Sequence, residues 1–178
     1  FEASFCVYYF DPISIPVFLS LCEQLKNYHS QPLFLYLSNN NVINQVLEFL
    51  YRADFFYLSG NNVIPSYPIG KNIFSFEEGY IGNFQGKNQR VEHKVRCYSI
   101  DDDNLYNIVG SQISDEDKRD LINEYYTIKV QNQFSDLLFE NSNTEKLQSF
   151  FVEVLAELIT NGVLHSKSNV YALMFLDR

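Results

Sequence analysis

The chain has no tryptophan, a single methionine and only three cysteines in 178 residues. Cys6, Cys22 and Cys97 lie far apart and share no metal-ligand spacing. An odd, scattered set argues against a disulfide framework and reads as reduced thiols, which points to a cytoplasmic protein. Cations are scarce: 13 Lys and Arg face 22 Asp and Glu, for a net charge of −9 and a pI near 4.7. That balance excludes non-specific nucleic-acid binding, which needs cations to displace phosphate counterions. It also gives no attraction to an anionic membrane. No apolar stretch is expected to reach the roughly 18 to 20 residues that span a bilayer, no secretory signal is visible, and there is no internal repeat or low-complexity tract. The chain opens at Phe1 rather than Met, so both ends are treated as possible cuts.

What is abundant is apolar and aromatic bulk. Apolar residues make up 46% and aromatics 16%, with 16 Phe and 13 Tyr. A sizeable core is within reach, whole-chain disorder is not expected, and the length suits one large domain or two small ones.

The first third alternates strand and helix signals. Phe5 to Phe10 (FCVYYF) reads as a buried strand stopped by Asp11-Pro12. A helix is predicted from about Ile15 to Tyr28, with Pro16 in its first turn. Leu33 to Leu37 (LFLYL) is again strand-like, SNNN marks a turn, and Val42 to Arg52 is helical. The order β-α-β-α with short connections predicts parallel strands joined by right-handed crossovers. From Ser59 to about Gly86, Gly, Asn and Pro punctuate short aromatic pieces such as Ile73 to Phe76, which reads as loop with irregular strand. Arg90, Lys94 and Arg96 alternate with Val91, Val95 and Cys97, as on a solvated edge strand, with an anion site as the alternative.

Asp101-Asp102-Asp103 is the expected domain boundary, read as a solvated linker; a hard-cation site is the alternative, although adjacent residues do not share one face. Ser114-Asp-Glu-Asp predicts a helix start, with acids at the positive end of the dipole, running to about Tyr126. A second helical stretch covers Asn132 to Glu140. Ser142-x-x-Glu145 is a capping-box pattern opening a long helix whose apolar stripe is Leu147, Phe150, Phe151, Val154, Leu155, Leu158 and Ile159. Val170 to Leu176 then reads as a strand.

The chemistry sits near the end of that helix, in Glu157-Leu-Ile-Thr-Asn161-Gly-Val-Leu-His165-Ser166. Four residues advance the helical surface by roughly 40°. Glu157, Asn161 and His165 therefore form a shallow diagonal along the stripe, where polar groups are expected to be partly buried and to need partners. An Asn carbonyl is a neutral oxygen ligand for Mg²⁺, which takes its other ligands from waters and phosphates. A Glu one turn earlier could orient or deprotonate a group attacking a terminal phosphate. Gly162 weakens the helix by about 1 kcal/mol relative to Ala, and its small size would let a loop or ligand come close.

These ten residues, followed by a strand, resemble the N-box of the GHKL ATPases, the superfamily that includes the histidine kinases and the anti-sigma-factor kinases. The resemblance implies an α/β sandwich holding ATP between helices and a mixed sheet. Asn161 would be the Mg²⁺ ligand, Glu157 the general base, and Asn161 with His165 the cofactor contacts. His165-Ser166 matches a pair often seen in bacterial relatives, whereas Gly162 replaces the usual Ala. The family's D-x-G-x-G motif, whose Asp reads the adenine amino group, belongs on the next strand. Arg178 comes one strand short of it, so this polypeptide alone is expected neither to hydrolyse ATP nor to bind it tightly.

The front of the chain resembles a STAS-like domain of the anti-sigma-antagonist type. The likeness lies in the first strand, the turn Asp11-Pro-Ile-Ser14-Ile-Pro16, the helix VFLSLCEQL and the strand LFLYL. The segment Leu50-Tyr-Arg-Ala-Asp-Phe-Phe resembles that family's L…GFF closure. Ser14 stands nearest the phosphorylatable serine of such domains, but Ile15 and Pro16 follow it, so Ser14 is read as a helix cap. The joint expectation is an α/β chain: an N-terminal STAS-like β-α-β-α module in 1–100, then a helical linker and the N-terminal portion of a GHKL-type α/β sandwich in 101–178. It describes a bacterial-type cytoplasmic regulatory protein with Mg²⁺ and ATP as cofactors of the complete domain. A regulatory protein is the expected partner, with neither nucleic acid nor membrane, and the oligomeric state is left open. The alternative is a non-catalytic interaction module on a degenerate GHKL-like scaffold.

Overall fold

The computed structural model describes residues 2–5, 11–37, 43–65, 67–76, 93–101, 105–138, 145–166 and 168–175. The chain is mixed α/β, rich in helix and small in sheet, and forms two compact units. One comprises Phe1–Arg96 with Tyr171–Arg178, the other Cys97–Val170.

The first unit is built on three parallel strands, β1 (Glu2–Phe5), β2 (Leu33–Leu37) and β3 (Phe74–Ser75), with β2 in the middle. Glu2 pairs with Phe34 and Phe5 with Leu37, while Leu33 pairs with Phe74. Parallel neighbours need a crossover, supplied by α1 (Ser14–His29) between β1 and β2 and by α2 (Ile43–Arg52) and α3 (Phe55–Ser59) between β2 and β3. Residues 6–10, the rest of the expected first strand, lie outside the described residues. Helix α1 starts without a side-chain cap: the Asp11 carboxylate accepts the Ile13 N–H at 3.0 Å, and the Ser14 hydroxyl donates back to the Asp11 carbonyl at 2.5 Å. The capping expected of Ser14 is thus replaced by an Asx turn at Asp11.

Alternation along β2 turns Leu33, Leu35 and Leu37 inward, while Phe34 and Tyr36 face water. Phe18, Phe55 and Phe74 close the core from α1, α3 and β3, with ring centroids 5.8–6.5 Å apart. Between α2 and α3 the chain turns at Asp54, whose φ of 63° is a left-handed conformation that L side chains take reluctantly. Asp54 is held there by partners. Arg96 on β4 (His93–Tyr98) donates to its carboxylate at 2.7 Å, and the Val95 N–H bonds the Ala53 carbonyl at 2.9 Å. Strand β4 has a single sheet neighbour, as an edge strand does, but its cations are not solvated: Lys94 is buried and Arg96 nearly so, because a buried carboxylate draws the cation inward. β4 pairs with β5 (Val170–Phe175) in a two-stranded sheet.

The second unit is helical. α4 (Leu105–Val109) leads to α5 (Asp115–Leu138), one continuous helix of 24 residues where the sequence suggested two shorter ones. Ile122, Tyr126, Val130, Phe134 and Leu137 keep a buried face at three- and four-residue steps straight through the polar Gln131-Asn-Gln133. Its start is as predicted: the Ser114 hydroxyl accepts the Asp117 N–H at 3.1 Å and donates to the Asp117 carboxylate at 2.5 Å. α6 (Glu145–Ser166) packs along α5. Asn123, early in α5, reaches Thr160, late in α6, and only six residues join the helices, so the pair is an antiparallel hairpin. The capping-box residue Ser142 lies outside the described residues. Tyr98 and Tyr126, both fully buried, meet edge to face at 5.6 Å, and the Tyr126 hydroxyl donates to the Ser99 carbonyl at 3.2 Å.

Burial pushes the Asp54 carboxyl above its ordinary value of 3.8, although Arg96 and Lys94 pull it down. An acid with a raised folded-state value contributes stability that is complete below 3.8 and fades as pH rises through that folded-state value. Removing the cation enlarges this effect. Arg96→Met is expected to lower unfolding free energy by about 3 kcal/mol at neutral pH, and the loss should shrink in acid, where Asp54 is neutral. Urea unfolding at pH 7 and pH 3.5 measures both.

Candidate functional site

The polar edge of α6 brings together two of the three expected site residues, Glu157 and Asn161. Glu157 and Asn161, four residues apart, sit on one face of the helix, and both are half-buried. The Asn161 amide nitrogen donates to Glu157 Oε1 at 3.0 Å. Glu157 is further held from α5: Arg119 donates to Oε1, and Asn123 donates to Oε2 at 3.0 Å. Asn123 also lies 3.4 Å from the hydroxyl of the fully buried Thr160, at the long end for a hydrogen bond.

Both carboxylate oxygens of Glu157 thus carry donors. The cluster ties α6 to α5 near the end of the hairpin far from the connecting loop. Arg119 and Glu157 are each nearly half exposed, at 44% and 40%, so their pairing contributes at most about 1 kcal/mol. With its nitrogen turned to Glu157, the Asn161 carbonyl oxygen points the other way, and among the described residues it accepts no hydrogen bond. That oxygen is available to a cation.

His165 does not join the cluster. It is exposed and, among the described residues, has no hydrogen-bond partner, so the partial burial expected for it is not found. Ser166 acts locally. Its hydroxyl donates to the Gly162 carbonyl at 2.5 Å and accepts the Ser168 N–H at 3.2 Å, closing the helix before β5. Arg119 and Asn123 belong to no motif visible in the sequence, and Thr160 lies inside the N-box-like run with no role expected of it. The i, i+4 spacing of Arg119 and Asn123 is the usable signal, because it puts both on one face of α5.

Gly162 is explained by the chain itself. A Cβ there would lie 2.8 Å from Val170 Cγ2, closer than real contacts allow, so what approaches the helix is the first side chain of β5. The apolar stripe needs correction. Gln148, Val152, Ala156, Ile159, Thr160 and Val163 form the buried face, while Leu147, Phe150, Phe151, Val154 and Leu158 are exposed. Both faces of α6 are apolar, so periodicity could not tell which one α5 would cover. For the same reason α6 is, over Leu147–Ser166, the one helix among the described residues long and apolar enough to cross a membrane. Glu153 and Glu157 interrupt that span, and Glu157 bonds to α5. Among the described residues no three His, Cys, Asp or Glu side chains gather where they could hold a metal ion; Asp102 and Asp103 lie outside them.

Gly162→Ala sets a helix-propensity gain of about 1 kcal/mol against the Val170 contact. The single change is expected to destabilise, because a β-branched valine cannot swing aside. In a Val170→Ala background the same change should stabilise. A double-mutant cycle by chemical denaturation reads the sign reversal.

No family model, no curated protein and no solved structure matches the chain.

Proposed function

We propose that the chain is part of a cytoplasmic regulatory protein that couples a STAS-like module to a GHKL-type ATP-binding domain. In that domain Asn161 is the protein ligand of a Mg²⁺ ion carried by ATP. One observation carries the reading: Glu157 turns the Asn161 amide so that its carbonyl oxygen faces away from the carboxylate and accepts nothing from the described residues. A neutral oxygen held in this way suits Mg²⁺, which keeps several waters and shares few protein ligands. The Mg²⁺ would neutralise phosphate charge. Glu157 serves here first as the residue that orients Asn161. Arg119, already beside Glu157, supplies a guanidinium within reach of the same edge and suits a phosphate oxygen.

The front of the chain supports the same reading. Its parallel strands with helical crossovers have the β-α-β-α succession read from the sequence, on which the STAS-like resemblance rests. Asp54, at the place where the family closure L…GFF carries glycine, adopts the positive φ that glycine takes most easily.

A second reading has its own observation. Glu157, the expected general base, is bonded on both oxygens by Arg119, Asn123 and Asn161. Such a carboxylate suits a scaffold in which nucleotide is bound without hydrolysis, or a module that only contacts a partner.

Isothermal titration of the full-length gene product with Mg·ATP tests the ATP assignment and separates it from a module that only contacts a partner. The proposal expects binding that Asn161→Ala weakens at least about tenfold, the worth of roughly 1.4 kcal/mol. Glu157→Gln should retain much of the affinity, because the amide carbonyl still accepts from Asn161. Unchanged binding in Asn161→Ala removes Asn161 as the Mg²⁺ ligand, and no binding by the full-length protein removes the ATP assignment.

A further inference from the structure

Helix α6 carries a second apolar face that the described residues cover only in part. Leu147, Phe151, Val154 and Leu158 step by four, three and four residues, the spacing of a coiled-coil seam, and Phe150 flanks them. This face lies opposite the side that Val152, Ala156, Ile159 and Val163 bury against α5. Leu147, Phe150 and Leu158 are 69%, 63% and 63% exposed, and Phe151 and Val154 are 45% and 41% exposed. Scattered exposed apolar residues need no explanation, but five large ones in a continuous helical row do.

We propose that this row is the interface between two copies of the chain, packed α6 against α6 about a two-fold axis near Phe151 and Val154. The area decides for a second copy. Taking about 200 Å² for a whole large apolar side chain, the five leave on the order of 500 Å² of apolar surface in water. Pairing the row with itself removes up to roughly 1,000 Å² in total from these side chains, the least that a specific interface buries. A two-fold contact needs a self-complementary patch, and a heptad row of Leu, Phe and Val without a charge is one. The row also ends cleanly: the next two seam positions are Asn161 and His165, where the apolar face stops. A bilayer is a poorer cover, because Glu153 and Glu157 share the helix and the chain is strongly acidic. The inference stands apart from the ATP assignment, since it uses none of Glu157, Asn161 or Arg119 as ligands.

Sedimentation velocity across micromolar concentrations tests it, with Val154→Lys and Leu121→Lys as variants. Both positions are exposed, and Lys is at least as good a helix former as Val or nearly as good as Leu. Far-UV circular dichroism checks that each variant keeps its helices. The parent should sediment as a dimer, Val154→Lys should dissociate at least about tenfold more readily, and Leu121→Lys, outside the row on α5, should remain dimeric. A parent monomeric throughout, a Val154→Lys variant that dimerises like the parent, or a parent that floats with neutral-lipid vesicles would overturn the proposal.

Discussion

Helix α6 must satisfy three demands at once. One face is buried on α5 through Val152, Ala156, Ile159 and Val163, one edge carries Glu157 and Asn161, and the far face is a row of Leu, Phe and Val. Burying a large apolar side chain contributes about 1.5–3 kcal/mol, so the α5 contact is what keeps the hairpin together. The polar cluster works differently. Arg119 and Asn123 reach across from α5 to Glu157, and this fixes the register of the two helices more than it stabilises them. Once that register is set, Asn161 is oriented by Glu157 and the helix end is closed by Ser166.

The first unit rests on a comparable tension. Asp54 combines an unfavourable backbone conformation with a buried carboxylate, and either alone would be costly. The cation that offsets the burial comes from β4, so the turn between α2 and α3 and the position of β4 are coupled through this ion pair and the Val95–Ala53 hydrogen bond. The aromatic residues beside it, Phe55 with Phe18 and Phe74, then fill the space between α1, α3 and β3.

Much of the local structure is legible in the sequence. Helix α1, strand β2, helix α2 and strand β5 fall within about two residues of their predicted bounds, because each has a single clear period and a turn signal at its end. The misses share a physical cause, namely that burial depends on partners distant in sequence. Lys94 and Arg96 have the pattern of the wet side of an edge strand, yet Asp54 turns Arg96 inward. The polar Gln131-Asn-Gln133 suggests a break in α5, yet the buried face passes on either side of it. The long C-terminal helix is legible as a helix, but its two apolar faces hide which one is covered. Of the site, the Glu157–Asn161 pairing follows from spacing alone, whereas Arg119 and Asn123 need the hairpin to bring them there.

The central proposal is that Asn161, oriented by Glu157, presents its carbonyl oxygen to a divalent cation bound with nucleotide. Paramagnetic broadening by Mn·ATP, read on the side-chain amides of the ¹⁵N-labelled full-length gene product, tests that claim directly. The expected result is selective loss of the Asn161 side-chain signal, with the amides of Gly162 and Val163 next, reversed by excess Mg·ATP. A spectrum in which Asn161 keeps its intensity while other residues broaden, or in which nothing broadens, would contradict it.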